Sequence, residues 1–569
     1  MVKLDKDKDL KKEYQKVFDS YESDLIIEEV PSEEVSGVSP VYYMPHRPVV
    51  KLSSTSTKVR PVFDASATGY NGVSLNDCLL SGPSLNPDLV EVLIRFRRWP
   101  FAITAEITKA FLQVSVQKND KDVHRFLLPR EDGTVRHMQF TRVPFGNTAS
   151  PFLLNATIKH HLDKYPETSV IQELTSNMYT DNWLSGADSV VEASEKFCKA
   201  RSNLADASMD LTKLVSNGLL ITSKSHDQYL VSGDEPNTVL GLKWCNSQDT
   251  FSFVAINPDT SVEIASTKRS ILSVIAKIFD PLGLISPFVM YGKILFQELW
   301  KLNVSWDEEM PSDLKSKFQK WLLSSQCLKS FHVNKCYFPE LSWGELRNVE
   351  LHGFGDASEK GYGACVYLRV TLEDNSSKVS LVASKSRVVP IKTVTLPRLE
   401  IMGALLCSRL VDFVKTSLKL DSNTQVVCWT DSTIALSWIH DMFGFSMLTN
   451  TPCHHKEGST LVSDTKETST KSTVCLSVQG EPESPFIDLN KYSDLSKTLR
   501  VTAYVLRFIN NCRNVKNKLK GSITTEEIDL AKLKMIYLIQ REEFSDEIKT
   551  LMNNKPIPQV KQIGPIHRR

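Results

Sequence analysis

The 569-residue chain contains no run of about eighteen apolar residues, so no transmembrane helix is readable in it. Its start, MVKLDKDKDLKKEY, is charged and has no apolar core segment, so no secretory signal is readable either. A soluble, intracellular protein with no membrane partner is expected. Paired cysteines are also missing: the 11 cysteines are an odd number, and the closest two, Cys327 and Cys336, lie nine positions apart. That spacing excludes CxxC chemistry and offers no disulfide framework, leaving reduced, mostly buried thiols as the expectation. An excess of one charge is absent as well. Lys and Arg number 68 against 67 Asp and Glu, a net charge of +1, so any binding to nucleic acid must come from local basic patches and not from bulk charge. No internal repeat is visible.

What is present describes an ordinary globular chain: 41% hydrophobic and 24% charged residues, enough to offset the entropy of ordering. The length exceeds one hydrophobic core and implies about two to four domains. Residues 1–40 are rich in Lys and carboxylates and read as a solvated helix leading into an extended segment. YYMPHRPVVKL (42–52) alternates toward strand. PDLVEVLIRFRRW puts Leu89, Val92, Leu93 and Phe96 on one helical stripe and leaves cations off it, with Arg95, Arg97 and Arg98 as candidate phosphate contacts. KRSILSVIAKIFD (268–280) has helical spacing that PLGLISP breaks. Helical stretches bearing Trp300, Trp306 and Trp321 follow, and strands return near 350. A helix over 397–416, the strand TQVVCWTD, an aperiodic stretch over 445–485 read as loop or disorder, and a capping box at Thr524 and Glu527 ahead of a helix ending near Met552 complete the pattern.

NMYTDNWLSG places Asp181 and Asn182 in hairpin turn chemistry, where a carboxylate can reach a metal but where Asp and Asn also occur for purely conformational reasons. Its ordered company is more informative: TAEITKAFLQV, FTRVPFGNTASPF, LTKLVSN and VLGLKW. In that order the set resembles the palm and fingers of a reverse transcriptase. YYMPHRPVVK, KVRPVFDAS, SLNDCLLSGP and AKIFDPLGLISP resemble more specifically the BEL/Pao group of long-terminal-repeat retrotransposons, over roughly 40–552.

The resemblance implies an α/β (α+β) fold: a charged segment (1–40), fingers and a ferredoxin-like palm (41–245), a connection or thumb-like region (246–345), a ribonuclease H-like mixed sheet (346–480) and a helical extension (481–569). It implies RNA-directed DNA polymerisation with removal of the RNA strand. The partners would be an RNA template, an RNA/DNA hybrid and deoxynucleoside triphosphates, with a dimer open as an assembly and a cytoplasmic particle or the nucleus as the compartment. Phosphoryl transfer of this kind uses two Mg2+ ions about 4 Å apart, held by hard carboxylate oxygens. The matching palm positions are Glu106, Asp181 and Asn182. Two depart from the family, which carries Asp at both: Glu106 is longer by one methylene, about 1.5 Å, and Asn182 is neutral. An impaired polymerase is therefore expected, with an inactive nucleic-acid-binding or scaffolding remnant as the alternative.

Other palm positions carry over by the same resemblance. Phe111 would gate the ribose 2′-hydroxyl, and Arg60, with Lys58 nearby, would bind the triphosphate. Phe145, Gly146, Ser150 and Pro151 would support template and nucleotide; Lys213 would protonate pyrophosphate; and VLGLKW (239–244) would grip the primer end. Further on, FGDAS, TLPRLEIMGALL and WTDSTIALSWI offer Asp356, Glu400 and Asp431 in strand, helix, strand order, as in ribonuclease H, where acids hold two Mg2+ ions. The fourth acid of that family has no clear match here, Asp464 being the one candidate. Cys453, His454 and His455 are adjacent and cannot wrap one tetrahedral zinc ion. No D-[ST]-G triplet supports a peptidase, and the ending resembles a linker before an integrase region, so an excised middle portion of a polyprotein is expected.

Overall fold

The computed structural model describes residues 7–35, 40–50, 59–130, 132, 134–218, 237–256, 266–343, 346–443, 474–475, 499–500, 502–504, 506–507, 519 and 521–543. Lys58, the Cys453–His454–His455 triplet, Asp464 and the end of the C-terminal helix near Met552 lie outside the described residues. Among the described residues no helix is long and apolar enough to cross a membrane. By their internal contacts the chain divides into two units, Met1–Thr430 with Lys466–Ser477, and Asp431–Thr465 with Val478–Arg569.

In the first unit, helix Lys8–Ser23 packs Tyr14 and Phe18 against the hairpin His46–Val50/Val59–Phe63 and a three-stranded sheet, building an aromatic core of Phe18, Phe63, Phe126 and Phe140. Next comes a four-stranded antiparallel sheet in the order Met178–Tyr179, Asn182–Ala187, Phe101–Ile107, Leu211–Ser216. Alternation along these strands splits their side chains between two faces. Ile103, Ala105, Ile107, Trp183 and Leu211 share a core with helices Ser150–Leu162, Ser169–Asn177 and Val190–Ala205, whereas Ala102, Leu184 and Val215 join the core of helix Leu89–Phe96. That helix begins at Asp88, whose carboxylate accepts from Val90 N at 2.8 Å, and buries Val92, Leu93 and Phe96 as its stripe predicts.

A second antiparallel sheet (Asn237–Val239, Leu242–Cys245, Thr250–Ser252, His332–Asn334) leads into helices Lys268–Ala276, Ser286–Lys301 and Ser312–Ser324. The last sheet is mixed. Ser377–Val388, Gly361–Thr371 and Arg347–Ala357 run antiparallel to their neighbours, and Gln425–Trp429 and Val474–Cys475 then add in parallel. Parallel strands need a crossover, supplied by helix Leu396–Ser417, whose Leu399, Gly403, Leu406, Leu410 and Val414 recur at helical spacing and are buried. The expected α/β architecture, with a ribonuclease H-like mixed sheet, is present. Of the stretch 445–485 only Val474–Cys475 is described, and these two form a strand where loop or disorder is expected, too short for any periodicity to register; the rest of the stretch lies outside the described residues.

The second unit has helices Thr433–Phe443 and Thr525–Glu543. The predicted capping box closes the latter: Thr524 N donates to Glu527 at 2.8 Å and Glu527 N to Thr524 Oγ1 at 3.4 Å. Arg507 Nε donates to Glu527 at 2.6 Å, and this cation draws the carboxyl down to about 2.

Candidate active sites

Two acid pockets form. In the palm, Glu106 lies opposite Asn182 in antiparallel register, and Ile107 N donates to Asp181 O at 2.8 Å, so the two sequence-predicted acid positions are neighbours across one strand pair. Thr180 turns the hairpin in the left-handed region at φ 58°. Asn86 fixes that turn: its Oδ1 accepts from Thr180 N at 3.0 Å and from Asn155 Nδ2, on helix Ser150–Leu162, at 2.9 Å. On the other side the register of Phe101–Ile107 against Leu211–Ser216 slips between Thr104 and Glu106, and Lys213, at φ 51°, occupies the irregularity. Such a bulge re-aims a side chain, and here Lys213 Nζ meets Glu106 Oε2 at 2.8 Å. Asn182 Nδ2 donates to Asp181 Oδ1 at 2.7 Å. Burial, and then the charge of Glu106, hold the Asp181 carboxyl above the ordinary range; Lys213 and the Asn182 amide only partly offset them.

Around this pocket Phe111 and Phe145 meet edge to face with centroids 5.1 Å apart. Gly146 sits at φ 98°, where a Cβ would lie 2.7 Å from the Phe63 carbonyl oxygen, so the loop accepts only glycine there. Asn76 holds the same loop, donating to Gly146 O at 3.1 Å and accepting from Thr148 N at 2.9 Å, while buried Ser150 donates to Pro144 O at 2.8 Å. Arg60 is exposed on Val59–Phe63, close enough to Tyr21 for its charge to act on that phenol.

The second pocket is built on the mixed sheet. Asp356 ends strand Arg347–Ala357, Glu400 lies early on helix Leu396–Ser417, and Asp431 follows strand Gln425–Trp429. Phe354 pairs with Trp429 in parallel register, so Asp356 and Asp431, each two residues on, leave the sheet side by side. Asp431 is bonded directly to Thr430 at the division between the units, so the strand end sets its place. Glycines bring the helix down onto the strand. A Cβ on Gly355 would sit 2.8 Å from Gly403 O, and one on Gly403 would sit 2.9 Å from Asp356 O. Gly403 is one turn after Glu400, so this close approach lowers Glu400 over Asp356. Ligand oxygens of Asp356, Glu400 and Asp431 lie within 4.8 Å of one another, the one such cluster of three among the described residues. Ala357 N donates to Asp356 Oδ1 at 2.6 Å. No ion pair joins Asp356 or Asp431 to a cation among the described residues.

At the end of helix Leu89–Phe96, Arg97 overturns an expectation. Arg97 is 1% exposed and donates to the carbonyls of Lys335 at 3.1 Å, Leu381 at 2.8 Å, Val382 at 3.0 Å and Asn334 at 3.3 Å. Its guanidinium lies 4.4 Å from the Tyr337 ring, and that of Arg98 lies between Trp99 and Trp343. Arg95 donates to Asn177 Oδ1 and Ser176 O, each at 2.8 Å. Burial removes Arg97 from the candidate phosphate contacts, and its hydrogen bonds tie the end of helix Leu89–Phe96 to strand His332–Asn334 and the mixed sheet. The stripe rule misses this because the helix ends at Phe96, so the following residues enter a buried joint instead of a solvated face.

AKIFDPLGLISP is likewise a joint. Asp280 accepts from Leu284 N and Ile285 N, both at 2.8 Å, and Ser384 N on the mixed sheet donates to Leu282 O at 2.9 Å. Gly283, at φ 73°, leaves no space for a Cβ beside Ser384. Sequence reading also passed over Asn86, Asn76 and the Gly355/Gly403 contact. An Asn before Pro at 86–87, Gly355 next to Asp356 and Gly403 one turn after Glu400 were the available signals.

Comparison with known proteins gives a partial match. Residues 267–432 match the family described as Pao retrotransposon-like RNaseH-like domain. The similarity of that segment agrees with the resemblance read from the motifs. No curated protein matches the sequence. Among solved structures, the chain is similar to the foamy viral protease-reverse transcriptase dRH in complex with double-stranded DNA (16% identity, TM-score 0.49, 75% of this chain and 64% of that one). It is similar to the foamy viral protease-reverse transcriptase with an RNA/DNA hybrid (15%, 0.44, 80% and 56%) and with double-stranded DNA (17%, 0.48, 75% and 76%). The chain thus spans 64% and 56% of the first two chains it resembles.

Proposed function

We propose that the chain is part of a BEL/Pao-type retroelement polyprotein, with a reverse-transcriptase-like palm impaired for DNA synthesis and a ribonuclease H-like pocket competent to cut the RNA strand of a hybrid. The observation that carries this reading is the convergence of Asp356, Glu400 and Asp431 within 4.8 Å. Hard oxygen donors this close fit Mg2+, and these three would hold it. When bound, the metal would lower the pKa of an attacking water and neutralise charge building on the phosphodiester. The rest falls to the chain itself. Ala357 N orients the Asp356 carboxylate, and the glycine contact fixes the height of Glu400 above it. The exposure of Asp356 and Asp431 leaves the pocket open to a polymeric substrate.

The palm residues do not fit a pair of Mg2+ ions. One carboxylate is already answered by Lys213, and an amide stands at the third position and donates to the other carboxylate. Catalytic groups tolerate about 0.5 Å of misplacement, and Glu106 exceeds that by its extra methylene. Phe111 packs edge to face on Phe145, Asn76 holds the Gly146 loop, and Arg60 is exposed, which supports retained binding of template or deoxynucleoside triphosphate without efficient chemistry.

The test has two arms. On an RNA/DNA hybrid with magnesium, Asp356→Asn should lower cleavage about a hundredfold or more, since even outer-shell changes at metal sites cost 10–100-fold; cleavage that survives removes the assignment. In primer extension on an RNA template, the double variant Glu106→Asp, Asn182→Asp should outpace the parent. Equal rates would show that the palm is not impaired.

A further inference from the structure

Gly353 lies on the face of the mixed sheet that receives helix Leu396–Ser417, and its missing side chain leaves a hollow that Val411 Cγ2, at 2.5 Å from a Cβ there, fills together with two thiols. A Cβ there would sit 2.7 Å from Cys407 Sγ and 3.7 Å from Cys428 Sγ. Cys407 comes from the helix and is buried, while Cys428, the parallel partner of Gly353, is half-buried. The two thiols share a hydrogen bond, which raises Cys407 and lowers Cys428. Their positions in the chain give the pair its interest. Cys407 is two helical turns beyond Glu400 and on the same side of the helix, and Cys428 is three residues before Asp431.

We propose that Cys407 and Cys428 form a redox-closable dithiol that couples oxidant exposure to the geometry of the Asp356–Glu400–Asp431 pocket. The thiolate form of Cys428 attacks one oxygen of hydrogen peroxide, forming an S–O bond and breaking the O–O bond. The other oxygen leaves with its own hydrogen as hydroxide and takes up the proton that Cys428 gave up, making water, while the attacked oxygen keeps its hydrogen in the sulfenic acid. Cys407 then attacks the sulfenic sulfur; the S–S bond forms, the S–O bond breaks, and the second water leaves with the Cys407 proton. Two thiols lose two electrons in all, and one peroxide becomes two waters. Closure draws two sulfurs from hydrogen-bond separation to about 2.05 Å. Because interiors are close-packed, that contraction moves helix against strand, and an acid pocket that tolerates about 0.5 Å loses its fit. This second half rests on the nuclease reading; formation of the bond does not.

The experiment treats the full chain with hydrogen peroxide, maps linked peptides by mass spectrometry, and measures Mn2+ binding and hybrid cleavage before and after reduction. A Cys407–Cys428 peptide is expected, absent in Cys428→Ser and in Cys407→Ala. The oxidised parent should bind Mn2+ and cleave hybrid about tenfold less well, at the scale of outer-shell changes around metals, with recovery on reduction. The Cys428→Ser variant should be insensitive to peroxide. Absence of that peptide, or linkage through Cys365 or Cys475 instead, overturns the proposal. So does a linked chain with unchanged Mn2+ binding. A reduced parent that neither binds Mn2+ nor cleaves would instead defeat the nuclease reading, while the peptide map still decides the bond.

Discussion

The two acid pockets use one device, a carboxylate on a strand beside another delivered by a neighbouring element, yet they answer the resulting charge differently. In the palm the charge is met from within. A bulge turns Lys213 onto Glu106, and the Asn182 amide binds Asp181. In the mixed-sheet pocket three carboxylates converge, and Asp356 and Asp431 have no ion pair among the described residues. Like charges held this close favour an added cation, so on the proposed reading Asp356 and Asp431 would be answered by a metal, where in the palm Lys213 already meets Glu106.

The same charge removal, made in each pocket, breaks or upholds this contrast most directly. Glu400→Gln should lower magnesium-dependent hybrid cleavage about a hundredfold or more, whereas Glu106→Gln should leave it within about twofold, being a surface-accessible change at a separate site. Comparable losses from both would mean that the pockets do not act independently.

The joint that fixes palm, connection and mixed sheet in the first unit comes next in size. Arg97→Met leaves the carbonyls of Asn334, Lys335, Leu381 and Val382 without this donor, and should cost about 3 kcal/mol by denaturant unfolding, within the range for broken buried polar networks. Since Arg97 reaches no solvent, the slope of hybrid affinity against salt should be the same in the variant as in the parent. A shallower slope would return Arg97 to the phosphate contacts.

A smaller effect tests how the nuclease pocket is assembled. Gly403→Ala places a Cβ 2.9 Å from Asp356 O, and the helix must lift to make room. The expected cost is about 1–3 kcal/mol of stability and about a tenfold loss of cleavage. Cleavage unchanged by this substitution would show that Glu400 is not positioned by the glycine contact.

The sequence was most legible where function and chain order coincide. Asp356, Glu400 and Asp431 stand in family context and do converge, and Glu106 does lie beside Asp181. The helix stripes at 89–96 and 396–417 were readable because apolar spacing records the face a helix buries. What escaped depends on partners far away in the chain. Arg97 reads as a surface cation until residues 334, 335, 381 and 382 surround it, and Lys213 reads as a candidate proton donor until a bulge pairs it with Glu106. Periodicity reports faces, not the distant atoms that meet them, and a glycine's role as a point of close approach is invisible until the opposing backbone is placed.

The smallest expected effect bears on the internal cation itself. The Asp181 carboxyl stands above its ordinary value, so the folded chain favours its protonated form. Stability from this group is greatest below the unfolded value of 3.8 and falls as pH rises through the raised folded value. Lys213 opposes that rise, so Lys213→Met should raise the Asp181 value further and deepen the loss at neutral pH. Both members of the Lys213–Glu106 pair are partly exposed, at 44% and 34%, so solvent screening should hold the difference under about 1 kcal/mol. Urea unfolding at about pH 2.5 and pH 7.5 should show the variant weaker at the higher pH and close to the parent at the lower, which lies below the unfolded value. If Lys213 stands in for a metal, magnesium should restore stability to the variant at the higher pH and leave the parent unchanged. A variant as stable as the parent at both pH values would mean that Lys213 does not balance the palm acids.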